Sequence, residues 1–279
     1  GRDKTTEYGQ AEVNMKLSEL VILIKGGGEQ ASGVAHRLAC SHFKVCITEI
    51  PNPQAVRRGV TFCEAVYDGE KEIEGVVARL IPSPDDISQV WKEGKVSLLI
   101  DPETKVKDIL KPDVLVDAIL AKKNLGTKIS DASLVIGLGP GFQTGKDVHM
   151  VIETNRGHNL GKVILKGEAE ANTGIPGVIA GVSAERVFRA PKAGRFSTKK
   201  KIGDRVQADE AVALVDDSPV KTQISGIIRG LLRDGTEVHQ GMKSGDVDPR
   251  GIEGHCFTIS DKARAIAGGV LEAILSHFN

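Results

Sequence analysis

No excess of charge of either sign marks this 279-residue sequence, which carries 37 Lys and Arg against 37 Asp and Glu. That balance argues against a general nucleic-acid binder, which needs a cationic surplus to displace the counterions of a phosphate backbone. No apolar run approaches the roughly 18 residues of a membrane-spanning helix. Residues 1–14 lack a signal-peptide pattern and read as a poorly ordered or tag-derived tail, with Met15 a candidate start. Cysteine is sparse, and Cys40, Cys46, Cys63 and Cys256 include no Cys-x-x-Cys pair. A chain of this length needs no disulfide staples, so a reducing, cytoplasmic setting is the simplest expectation. Glycine is abundant, with 32 residues and no collagen-like period. Glycine at that density points to tight turns and close backbone approaches.

The first strong element is Val21-Ile22-Leu23-Ile24, an apolar run of buried-strand type. A glycine-rich turn over Gly26–Gly33 follows, then a helical stretch from Val34, a second strand over Lys44–Thr48, and Glu49. Gly26-x-Gly28-x-x-Ala31 fits the dinucleotide fingerprint, and Glu49 lies 21 residues beyond Gly28,. Such glycines let backbone approach a pyrophosphate, free N–H groups at the helix start stabilise its charge, and a terminal carboxylate accepts ribose hydroxyls. Gly26, Gly28, Gly33 and Glu49 are therefore the cofactor-binding candidates of this half. Two readings stay open: a nucleotide site, or a Rossmann-like turn that binds nothing.

Further along, Ala65–Leu80 predicts a hairpin with Asp68-Gly69 at its turn. Ser83-Pro84-Asp85-Asp86 predicts the start of a helix within Pro82–Glu93. Apolar runs ending at Asp101, Asp117 and Gly137 complete the pattern of an open α/β sheet, whose ligands gather at the carboxyl ends of the strands. His149, Glu153 and His158 read either as an acid–base cluster or as braces for the Asn155-Arg156-Gly157 turn.

After Pro191 the texture changes to short strands and glycine turns. Gly203 and Val206 are matched by Gly235 and Val238 at an offset of 32, so two similar units share one small core. This region resembles a biotinyl/lipoyl-like β-barrel of hammerhead type. That family carries its prosthetic group on a hairpin lysine. Here the hairpin reads Asp216–Val220, with Pro219 near the lysine position, so no attached biotin or lipoyl is expected and the module reads as a docking clamp. Lys199-Lys200-Lys201 reads as a solvated turn. Beyond Ser260 the sequence predicts a helix that Gly268-Gly269 kinks or divides. The expected division is a tail at 1–14, a Rossmann-like α/β domain at 15–190, a hammerhead-like β module at 191–254, and a C-terminal helical segment at 255–279 packing back on the first domain.

The densest polar motifs are Asp147–His158, Asn172–Gly177, Gly241–Arg250 and His255–Gly269. With the early glycine loop, they resemble the YqeB family, accessory proteins of selenium-dependent molybdenum hydroxylases that are implicated in maturing the molybdenum cofactor. The resemblance implies a maturation factor whose partners are a molybdenum hydroxylase client and other maturation proteins. A molybdopterin-type cofactor needs backbone N–H donors, basic side chains and amide or carboxylate partners. Asn155, Arg156, Lys243 and Arg250 supply those types beside the glycine loop. Cys256, with His255, Lys262 and Arg264 near it in sequence, is the catalytic candidate if the chain performs sulfur or selenium chemistry. Buried packing is its alternative role. No metal site is expected, because the His36, Cys40, His42 and Cys46 spacing fits no standard zinc pattern. Three functions compete: a cofactor-binding and insertion factor, an enzyme modifying the cofactor through Cys256, and a nicotinamide-dependent oxidoreductase.

Overall fold

The computed structural model describes residues 16–171 and 177–279. The expected tail at 1–14 and the Asn172–Pro176 part of the family motif lie outside the described residues. A nine-stranded sheet runs through the first unit: β1 Val21–Lys25, β2 Lys44–Glu49, β3 Glu70–Ile73, β4 Val76–Leu80, β5 Val96–Ile100, β6 Val114–Asp117, β7 Leu134–Leu138, β8 Met150–Ile152 and β9 Val163–Ile164. Its order is β3-β4-β5-β2-β1-β6-β7-β8-β9. The pairs from β4 to β8 are parallel, and β3 and β9 close the two edges antiparallel. The central strands are buried on both faces, which explains why they read as unbroken apolar runs,. The chain travels from β1 to β2 and β5 on one side, then returns to β6 on the other side of β1. The sheet therefore has a topological switch point between β1 and β6.

Helix α1, Glu29–Cys40, buries Ala31, Val34, Ala35 and Leu38, the spacing of one helical face,. Short helices α2 Ala65–Asp68, α3 Ile87–Lys92, α4 Lys107–Leu110 and α5 Gly254–Phe257 punctuate the connections. Ser83 accepts the Asp85 N–H and so starts the turn that leads into α3, as expected. The hairpin turn lies at Glu74-Gly75, with φ of 45° and 84°, and not at Asp68-Gly69. Ala65–Asp68 instead completes a helical turn, and Gly69 ends it at φ 80°.

The second unit is two four-stranded antiparallel sheets. Its strands are β10 Val187–Arg189, β11 Gly194–Ser197, β12 Arg205–Val206, β13 Ala211–Val215, β14 Ser218–Lys221, β15 Gly226–Leu231, β16 Glu237–Val238 and β17 Lys243–Asp248. The sheet orders are β10-β17-β15-β12 and β14-β13-β11-β16. The repeat is visible in this arrangement: β12 and β16 each follow a glycine turn, one per sheet, and Val206 and Val238 enter one core. The unit begins at Val187, ahead of Pro191. Asp216 and Asp217 form the β13–β14 turn, while Pro219 lies within β14 opposite Leu214. The hairpin tip is thus acidic, and Lys192 pairs with it.

The chain then returns to the first unit as α6, Asp261–Phe278. Ser260 caps it by accepting the Ala263 N–H at 3.3 Å,. Ala263, Ile266, Ala267, Val270, Ala273 and Ile274 are buried against α1 and the sheet. Gly268-Gly269 does not divide the helix. A side chain at Gly269 would run into the backbone carbonyl of Gly161, so glycine there permits close docking. Gly33 of α1 meets the same helix, where an added Cβ would sit 2.8 Å from the Ala263 Cβ. Gly33→Val is expected to lower stability by about 1–3 kcal/mol through overpacking, measured by denaturant unfolding. An unchanged midpoint would show that the two helices separate at no cost.

Candidate functional site

A cavity of about 550 Å³ opens at the carboxyl ends of β5, β2, β1 and β6. This is the switch point, where sheet geometry leaves a crevice between diverging connections. Gly26 turns the chain out of β1 at φ 90°, and its N–H donates to the Thr48 carbonyl at 2.8 Å. Gly28 is the N-cap of α1, no side chain caps the helix, and an added Cβ at Gly28 meets nothing within 4 Å. The first intrahelical bond runs from the Ser32 N–H to the Gly28 carbonyl. The N–H groups of Glu29, Gln30 and Ala31 therefore precede the helical ladder. Ser32 ties the loop down from behind: its hydroxyl donates to the Gly27 carbonyl and accepts the Phe62 N–H.

Glu49 ends β2 at the cavity wall. Its Oε1 accepts the Gly27 N–H and its Oε2 the Ile50 N–H, each at 2.7 Å. One acceptor position per oxygen is left for a ligand. Asp101 accepts the Val106 N–H at 2.8 Å. Across the floor, Lys25 and Asp117 are neighbours in the β1–β6 register. The Lys25 Nζ donates to the Thr127 hydroxyl at 2.6 Å, Thr127 donates to Asp117 Oδ2 at 2.6 Å, and the ions lie 3.4 Å apart. This buried triad went unnoticed in sequence. Its signal was a charged residue closing each of two adjacent apolar runs. Ile50, Ile119 and Leu125, all partly exposed, form an apolar rim around these polar groups.

The sequence candidates divide between places. Gly26, Gly28 and Glu49 converge on the cavity. Gly33 does not, because its missing side chain makes room for α6. Arg156 forms a two-pronged ion pair with Asp261, at 2.8 and 3.1 Å, at the start of α6. Asn155 donates to Glu170 at 2.6 Å. Arg250 grips Asp248 at 2.7 and 3.0 Å, and Lys243 stands 4.0 Å from Asp246. None of these four residues lines a wall of the cavity. His149 Nδ1 accepts the Val135 N–H, and Glu153 accepts the N–H groups of Asn155 and Glu170. Both act as braces.

Cys256 does not line the cavity. It is wholly buried, and its thiol donates to the Ile228 carbonyl at 3.6 Å. Burial pushes this thiol up, against the pull of Arg57 and Arg229. Its sequence neighbours bring polarity but no solvent path, so the placement is that of a packing cysteine.

The fold and site define a class: a mixed, mostly parallel nine-stranded sheet with helices, an antiparallel half-barrel unit, and a glycine-lined cavity at the switch point. The chain is a homologue of the uncharacterized protein YqeB of Escherichia coli (strain K12), 48% identical over 255 residues. The match covers 91% of this chain and 47% of that protein, so the chain spans about half the length of its curated relative. No protein-family model matches. Among solved structures, an aspartoacylase family protein from Mesorhizobium loti aligns at 11% identity, over 82% of this chain and 84% of that one, with a TM-score of 0.25. The ectoine utilization protein EutE (DoeB) from Ruegeria pomeroyi aligns at 12%, over 82% and 85%, also at 0.25. Scores this low assign neither fold nor activity. Among the described residues no helix is long and apolar enough to cross a membrane.

Two outcomes follow from the side-chain environments. In native protein near neutral pH, a thiol reagent is expected to modify the exposed Cys40. Cys46 and Cys63, both pushed up to about 12 chiefly by burial, and Cys256 should react only on unfolding. Rapid labelling of Cys256 would restore the nucleophile. Hydrogen bonding from Arg156 holds Asp261 at about 2, below the ordinary 3.8. A carboxyl depressed in the fold stabilises it above its unfolded value, and that contribution is lost as pH falls from about 4 toward 2. Arg156→Gln should raise the Asp261 midpoint toward 3.8, read by carboxyl-carbon NMR. An unmoved midpoint would mean the ion pair does not form in solution.

Proposed function

We propose that this chain is the cofactor-handling part of an accessory factor that matures selenium-dependent molybdenum hydroxylases, and that it binds a phosphate-bearing ligand of nucleotide or molybdopterin type in the switch-point cavity. The observation that carries this reading is the uncapped start of α1 opening into that cavity at Gly28. Anions are stabilised at such helix starts by backbone N–H donors and the helix dipole. The resemblance of the polar motifs to the YqeB family supplies the biological setting.

The charge of the lining decides which part of a ligand goes where. Glu29, Glu49 and Asp101 line the cavity with Lys25 as the cation. A free phosphate is disfavoured against the carboxylates and favoured at Gly28, where the backbone alone faces it. Glu49 accepts ligand hydroxyls, and a phosphate in their place meets like-charge repulsion. The apolar rim of Ile50, Ile119 and Leu125 covers a flat ring system. A molybdopterin-type group, if bound, supplies the metal chemistry. This chain's residues hold its phosphate end, orient it and exclude water. The half-barrel is the client-docking unit in this reading. Burial of Cys256 speaks against the alternative in which that thiol handles selenium.

Calorimetric titration with an adenine dinucleotide, and separately with molybdopterin released from a donor enzyme, tests the reading. Saturable binding of one of them is expected, without hydride transfer by absorbance. Gly28→Val should weaken it at least about tenfold by displacing phosphate from charge-assisted backbone bonds. Equal affinity in a folded Gly28→Val protein would reduce the loop to a turn. Hydride transfer would instead identify an oxidoreductase.

A further inference from the structure

A second cleft, about 330 Å³, lies between the two units on surfaces unrelated to the glycine loop. Five basic side chains line it against two carboxylates, Glu64 and Asp68. Most of these groups are already committed. Arg233 Nη2 bridges Glu64 and Asp68, the latter at 2.7 Å, and its guanidinium stacks 4.4 Å above the Tyr67 ring. Arg58 Nε donates to the Leu231 carbonyl at 2.6 Å. Lys200 pairs with Glu210. Lys71 and Lys201 have neither a hydrogen-bond nor an ion-pair partner for their ammonium groups among the described residues. These two lysines are the uncommitted cations of the cleft, with the Asp204 carboxylate accepting the Lys201 backbone N–H at 2.8 Å and Glu253 lying on the Gly203 side of the Phe257 ring. Glu70 and Glu72, beside Lys71 in β3, point to the other face of the strand by alternation. Glu70 is held there by Lys95 and Arg79.

The cleft also has an apolar wall. Phe257 is 45% exposed although it is the last residue of a helix anchored at the unit junction. A Cβ on Gly59 would lie 3.2 Å from its ring and one on Gly203 3.7 Å. Glycine at both positions keeps the surroundings of the ring low. An aromatic face beside two uncommitted ammonium groups suits a ligand with a flat apolar part and a doubly charged anion. A phosphate monoester carries about −1.5 to −2 at neutral pH and can engage both ammonium groups at once, whereas a carboxylate carries about half that charge.

We propose that this cleft is a second ligand site, taking a phosphate monoester carried on a flat apolar group, with the phosphate between Lys71 and Lys201 and the ring against Phe257. The site joins residues of the sheet unit to residues of the half-barrel, so its ligand stabilises their junction. It is independent of the glycine-loop cavity.

Phenyl phosphate and inorganic phosphate are the probes, titrated against the intact protein by calorimetry at low salt. Saturable binding of both is expected, with phenyl phosphate the tighter. The double variant Lys71→Gln/Lys201→Gln should bind both at least about tenfold more weakly, from the loss of charge-assisted contacts. Phe257→Ser should abolish the advantage of phenyl phosphate and leave inorganic phosphate unchanged. Gly28→Val should leave the lysine-dependent component of binding unaltered for both probes, which separates this site from the cavity. Melting temperatures confirm that each variant is folded. Failure of wild-type protein to bind either probe saturably, or unchanged binding by the lysine double variant, overturns the proposal. Equal affinity for the two probes overturns the assignment of the ring to Phe257.

Discussion

Arg57 sits where the sheet unit, the half-barrel and the last helices meet, and their mutual arrangement depends on its buried guanidinium. Its Nη1 donates to the carbonyls of Arg229 and His255 at 3.3 and 3.2 Å, and its Nη2 to that of Thr258 at 3.5 Å. Its Nε lies 3.6 Å from Glu29. Burial lowers the pKa of this arginine and Glu29 opposes that shift. A charge withdrawn from water costs several kcal/mol unless its partners are in place. The geometry of the junction is therefore over-determined: a shift of any one unit strands a charge. Glu29 is also the first residue of α1, so the ion pair that fixes the junction also fixes one edge of the cavity and neutralises a carboxylate beside the anion-seeking helix start.

The two halves of the molecule use charge differently. At the switch point, carboxylates are tied down by backbone N–H groups, and one lysine is buried against Thr127 and Asp117. Fixed dipoles are then the groups that would hold the proposed ligand. In the cleft between the units the uncommitted groups are the ammonium groups of Lys71 and Lys201. Fixed dipoles lose nothing to reorganisation when a ligand arrives, whereas flexible lysines give up rotamer freedom to bind. The first arrangement suits a ligand that must be held in one orientation, and the second suits charge recognition with looser geometry.

The sheet was legible because its central strands are covered on both faces and each appears as an uninterrupted apolar run. The repeat in the half-barrel was legible from two glycine–valine pairs, since each pair builds the same turn and core contact. Gly26, Gly28 and Glu49 came together as local spacing required. Spacing was a poorer guide where long-range contacts decide. Asp68-Gly69 and Glu74-Gly75 are similar dipeptides, and only the helical turn closing at Gly69 tells which one the hairpin uses. Gly33 fits a fingerprint, but its neighbour is Ala263 from the far end of the sequence. Arg156 has the chemistry of an anion ligand and is bound to Asp261. Polar neighbours of Cys256 in sequence say nothing of the Ile228 carbonyl above it. Lys25 escaped notice because its partners, Thr127 and Asp117, lie far along the chain.

The return of α6 onto α1 has a consequence for how the molecule is made. Chain order places α6 after the whole half-barrel, yet it covers the sheet face on which Ile152 and Ile266 pack in one core. During synthesis that face must remain incompletely covered while the half-barrel emerges. Folding cannot finish unit by unit from the first strand onward, because the first unit awaits its last helix. Such non-local closure slows folding and prolongs exposure of apolar surface. The half-barrel is thereby enclosed by the chain order of the sheet unit, and a nascent chain halted before Asp261 presents an adhesive face to whatever chaperone is nearest.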